Sequence, residues 1–155
     1  MRLAILLFYS AVLFGQSAAS PDQPKAQATR RCGEEFGLSN GTPGRSVEGI
    51  DILSDTQGVD FRPYVKRMVH KVRDNWDKLI PATSKSMKGR LTIEFAIAKE
   101  GKIEEMCLVA SSGDVALDRA AWDGIRKSNP FPPVPAAFSA PYLAVRFRFY
   151  YNADK

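Results

Sequence analysis

The chain has 155 residues, 45% of them hydrophobic and 25% charged, an ordinary globular composition that fits one small domain and excludes a disordered, collagen-like or disulfide-dense chain. Twenty-two Lys and Arg against 17 Asp and Glu give a net charge of +5, a mild excess that favours acidic partners without pointing to nucleic acid. One His and two Cys leave almost nothing from which to build a His/Cys metal site.

Met1-Arg2 precedes twelve mostly apolar residues, Leu3 to Phe14, and then Gly15-Gln16-Ser17-Ala18-Ala19-Ser20. A positive start, a short apolar run and small residues form the layout of a secretory signal, with cleavage expected after Ala19 or Ser20. No cysteine lies just after the apolar run, which argues against a lipid anchor. The competing reading is an uncleaved anchor facing the periplasm, with membrane contact only in that case. Twelve helical residues reach roughly 18 Å, short of about 30 Å of hydrocarbon. The expected division is 1–20 signal, 21–49 flexible tail or linker, and 50–155 folded domain. The tail carries Pro21, Pro24, Pro43 and five glycines, with Phe36, Leu38 and Val47 as its only large apolar residues, too few to offset its ordering entropy. An exported chain works in an oxidising compartment. There Cys32 and Cys107 are open to an internal disulfide, to two separate thiols, or to pairing between chains.

Ile50-Asp51-Ile52-Leu53 reads as a short strand or edge segment. Asp60 is placed as the cap of a helix of about twenty residues. Phe61, Tyr64, Val65, Met68, Val69, Val72, Trp76, Leu79 and Ile80 recur at steps of three and four along its face. Pro63 sits in its first turn and Pro81 stops it. Leu91 to Ala98 alternates as a half-buried strand. Lys99-Glu100-Gly101-Lys102 makes a hairpin, and Ile103 to Ser111 returns with ambiguous facing. Asp114 caps a second helix to about Lys127, with Leu117, Ala121 and Ile125 as its stripe. Five prolines between Ser128 and Pro141 impose an irregular, extended connection; Pro130 to Pro135 as a ligand for a polyproline reader is the weaker alternative. Tyr142 to Tyr151 closes the chain as a strand, with Leu143, Val145, Phe147, Phe149 and Tyr151 on one side. The fold class is α+β: a small antiparallel sheet, hairpin plus C-terminal strand, packed on one face by two helices.

No convergent acid, base and nucleophile set is visible, so an enzyme is not expected. His70 reads as a surface residue. Ser111-Ser112-Gly113-Asp114 reads as a strand end and helix cap rather than an anion site. No cofactor and no metal are expected.

Gly89 to Ala98, Gly101-Lys102-Ile103, Ser111-Ser112-Gly113, Leu117-Asp118-Arg119-Ala120-Ala121, Pro130-Phe131-Pro132-Pro133 and the final aromatic strand together resemble the C-terminal domain of TonB. The likeness runs over about residues 58–152. It implies a TonB/TolA C-terminal-domain-like fold and a periplasmic protein-binding domain. That domain would grip an extended peptide of an outer-membrane transporter, added as a strand beside the last strand. On the matching positions the partner-binding edge is Tyr142, Leu143, Ala144, Val145, Arg146, Phe147 and Arg148. A long membrane helix and a long Pro/Lys-rich spacer are not seen, so a binding role is expected rather than force transduction. Four to six ladder hydrogen bonds at about 1 kcal/mol each, less ordering entropy, give roughly micromolar affinity. Arg146 and Arg148 would favour an acidic peptide. The alternative is a self-associating envelope structural or adaptor protein without a transport role, a homodimer paired through the same edge.

Overall fold

The computed structural model describes residues 45–47, 49–84 and 86–152. The expected signal segment, the tail up to residue 44 and Cys32 lie outside the described residues. Seven regular elements follow in order: β1 (Arg45–Val47), β2 (Ile50–Ile52), α1 (Arg62–Asp77), β3 (Gly89–Ala98), β4 (Ile103–Ala110), α2 (Val115–Lys127) and β5 (Tyr142–Tyr151). The five strands form one antiparallel sheet in the order β1-β2-β5-β3-β4. Two helices cover one face, so the α+β architecture is as the sequence implied.

The sheet differs from the sequence expectation at one end. Arg45–Val47, placed in the tail, is a strand paired to β2. The C-terminal strand therefore lies in the middle of the sheet, not at its rim.

α1 is held by its apolar stripe. Tyr64, Val65, Met68 and Val72 are buried, and they meet Leu91, Ile93, Phe95, Val145, Phe147 and Phe149 from the sheet. The helix begins one residue later than expected, with Phe61 at the N-cap. Asp60 still satisfies the first turn: its Oδ1 accepts the Arg62 N–H at 3.0 Å, and its carboxylate takes the Arg62 guanidinium at 2.8 Å. α2 starts as the sequence indicated, the Asp114 carboxylate accepting the Leu117 N–H at 2.9 Å. The helices approach closely at Gly124, where an added Cβ would stand 3.0 Å from that of Trp76.

The ambiguous facing of β4 has a geometric cause. Its register against β3 slips twice, between Thr92 and Ile93 and between Ala96 and Ile97. Each slip is a one-residue bulge that reverses which parity faces the helices. Ile103 and Met106, of opposite parity, consequently both pack on the main core.

The proline-rich connection is laced to the β3–β4 hairpin. Phe131 N–H donates to Gly101 C=O (2.8 Å) and Val134 N–H to Lys99 C=O (2.9 Å). Phe131 stacks on Phe95 with centroids 5.8 Å apart. Gly101 has φ +92°, and a Cβ there would lie 2.0 Å from the Phe131 carbonyl oxygen. Only glycine fits both the turn and the segment resting on it.

Candidate functional site

β5 presents two flanks. Toward β3 it pairs over its whole length, from Tyr142 opposite Ala98 to Tyr151 opposite Gly89. Toward β2 it pairs only at Val145, Arg146 and Phe147. Leu53 and Ser54 extend that contact: Leu53 N–H donates to Ala144 C=O at 2.8 Å, Ala144 N–H donates to Ser54 Oγ at 2.8 Å, and Ser54 Oγ donates to Tyr142 C=O at 3.4 Å. Even-numbered residues of β5 thus aim their backbone groups at β2, and odd-numbered ones at β3.

The edge expected to be free over Tyr142–Arg148 is therefore already engaged by this chain's own backbone up to Phe147. The cause is the composition of β2. Ile50 and Ile52 are 3% and 0% exposed and complete the core beside Phe147 and Val145. Asp51, between them, lands on the opposite face, among arginines. From Arg148 to Tyr151 this flank has no ladder partner among the described residues.

The side chains of the predicted residues divide by face. Leu143, Val145 and Phe147 belong to the helix-side core. Ala144 joins Leu53, Ala96 and Cys107 in a small apolar cluster on the other face. Tyr142 is 38% exposed. Arg146 and Arg148 are not free to await an acidic ligand, because Asp51 and Glu94, each 2% exposed, hold them. Arg146 Nη2 meets Glu94 Oε1 at 2.6 Å, with Asp51 at 3.8 Å. Arg148 uses both terminal nitrogens on the two oxygens of Asp51. Two buried carboxylates are tolerable because each is paired with a guanidinium. The fork of Arg148 suits a carboxylate bidentately.

Sequence reasoning found the arginines and missed the acids. The signal was present: Glu94 on a strand whose neighbours across β5 are basic, and a lone acid between two isoleucines. Beside this cluster, on the helix side, Val69, Val72 and Trp76 of α1 and Phe147 and Phe149 of β5 line a cleft of about 70 Å³ next to Gly49.

Other sequence candidates fall outside this flank. Cys107 is disulfide-bonded, while Cys32 lies outside the described residues. His70 is exposed on α1. The Ser111–Asp114 turn is consumed by its own acids. Asp118 accepts hydrogen bonds from Ser111 Oγ (2.5 Å), Ser112 Oγ (2.7 Å) and the Ser112 N–H (2.8 Å). Burial raises its pKa, but those three bonds outweigh burial and hold the carboxyl below its ordinary value. Among the described residues no His, Cys, Asp and Glu cluster suits a metal ion, and no helix is long and apolar enough to cross a membrane.

Comparison with known proteins bears on this arrangement. The family model described as TonB C terminal matches residues 61–149. No curated protein sequence matches the chain. The solution structure of the Helicobacter pylori TonB C-terminal domain is similar at 16% identity and TM-score 0.49, covering 63% of this chain and 87% of that one. The HasB C-terminal domain is similar at 17% identity and TM-score 0.46, covering 79% and 97%. The Pseudomonas aeruginosa TonB C-terminal domain is similar at 18% identity and TM-score 0.37, covering 70% and 90%.

Proposed function

We propose that this chain, which belongs to the TonB C-terminal family, is an exported periplasmic module that binds an extended segment of an outer-membrane transporter by β-strand addition, without catalysis. The observation that carries the reading is the contact between β2 and β5. Three residues of extended chain add antiparallel to β5, fill two core positions and deliver one carboxylate to an arginine pair. Strand addition is this kind of interaction: ladder bonds supply affinity, and alternate side chains supply selectivity. A transporter segment would take the flank that β2 holds here, from Ala144 to Tyr150. The disulfide of Cys107 is assigned to Cys32, the other cysteine of the chain. It would tie the upstream segment to β4.

Calorimetric titration of the unreduced chain with plug-region peptides from transporters of the same genome tests the reading. Binding at roughly micromolar affinity is expected, with none for scrambled peptides. Failure of every plug peptide to bind a folded chain overturns it. A stable dimer found by light scattering in that case would favour the self-associating adaptor.

A further inference from the structure

β5 has ten residues and β2 has three, so the acceptor flank is longer than its occupant. The register places Ile50, Asp51 and Ile52 opposite Phe147, Arg146 and Val145. The chain then turns away at Gly49, because Val47 pairs back onto Ile50 in the β1–β2 hairpin. A strand that continued straight would carry its next residues past Arg148 and Phe149. In the same register, the residue three before the carboxylate would stand opposite Phe149. Its side chain would enter the cleft of Val69, Val72, Trp76 and Phe149. It would also meet the backbone groups of Arg148 and Tyr150, which face this flank.

Resting on the strand-addition reading above, we propose that β2 is an internal occupant of the acceptor flank, and that the flank selects external strands of the pattern apolar–any–apolar–acidic–apolar. The two arginines differ in what they require. When β2 leaves, Arg146 keeps Glu94. Arg148 loses its only carboxylate among the described residues, Asp51. Arg148 is therefore the specificity-determining residue: a neutral strand leaves its guanidinium partly buried and unpaired. β2 has the advantage of being tethered. An external strand offsets that advantage with two additional backbone positions and the cleft.

The test uses the full, unreduced chain and a fluorescein-labelled decapeptide with Leu-Ser-Ile-Asp-Ile at its centre, beside a twin in which the acid is Asn. Fluorescence anisotropy should show the acidic peptide binding about tenfold tighter than its twin. Asp51→Asn, which weakens the internal occupant, should tighten the acidic peptide by about tenfold. Arg148→Gln should remove the discrimination between the twins. Hydrogen exchange on the unmodified chain guards against a misfolded variant: saturating acidic peptide should strip protection from the Leu53 amide and leave β3 protected. Equal binding of the twins, no binding of either, or a Leu53 amide that stays protected in the saturated complex overturns the inference. If plug-region peptides still bind in those cases, strand addition stands and only the internal occupant and the acidic code fall. If they do not, the functional reading falls as well.

Discussion

The two flanks of β5 are built from the same ten residues and behave as different materials. The β3 flank is a full-length ladder over an aromatic core, with Phe95 5.2 Å from Phe147 and stacked on Phe131. The β2 flank is a short ladder with a hydroxyl cap at one end, an ion cluster on one face and a cleft on the other. A continuous ladder backed by buried rings opens only when the domain unfolds. A three-residue ladder at the start of the fold opens locally, at lower free energy. The difference suggests a division of labour: one flank defines the fold, and the other is available for exchange.

The largest effect expected is on the first flank. Phe95→Ala removes a ring that is 0% exposed and should cost about 3–5 kcal/mol in urea unfolding. A loss below about 1 kcal/mol would erase the contrast. Asp51→Ala attacks the second flank. It leaves Arg148 without its carboxylate and should cost about 1–3 kcal/mol, while increasing exchange at Leu53 far more than at Phe147. Equal acceleration at both amides would mean that the flanks are one cooperative unit.

A smaller effect isolates the turn before α2, which abuts the Gly89–Tyr151 end of the first flank. The Asp118 pKa is lowered in the folded state, so its stabilisation is present above the ordinary value near 3.8 and is lost as pH falls toward the folded value. Asp118→Asn should therefore lower thermal stability at pH 7 and converge with the parent chain once the pH has fallen through the lowered folded value. Persistence of the gap below that value would contradict the Ser111 and Ser112 bonds as its source.

The smallest effect is spectroscopic. Burial pushes Tyr64 and Tyr151 up to about 12 from 10.0, against smaller lowering contributions from Arg67 on Tyr64 and from the Trp76 hydrogen bond on Tyr151. Their contribution to stability is complete below pH 10 and fades as pH rises toward 12. Ultraviolet titration of the five tyrosines should show two ionising late. Tyr151 receives Trp76 Nε1–H at 2.6 Å and donates to Leu117 C=O at 2.7 Å. Trp76→Phe should disturb the later phase.

Much of the first flank was legible in the sequence. Strict alternation from Leu143 to Tyr151, the stripe of α1, the Asp114 cap and the glycine of the β3–β4 turn are local signals, and the local structure obeys them. Of the second flank, Ile50–Ile52 was legible as a short strand, but its pairing with β5 was not, for physical reasons. β2 is three residues long, too short for a period, and its partner lies 97 positions away where Asp51 meets Arg148. Sequence reading therefore saw two arginines facing outward and inferred an absent acid. The acid was in the same chain. In β4 the alternation failed because two bulges reset its facing, and no residue type announces a bulge.

Native-state hydrogen exchange of the unreduced chain, followed as a function of denaturant, tests the division between the flanks most directly. The Leu53 and Arg146 amides should exchange through an opening well below the global unfolding free energy, while those of Phe95 and Phe147 exchange only with global unfolding. A single opening free energy shared by all four amides would contradict it.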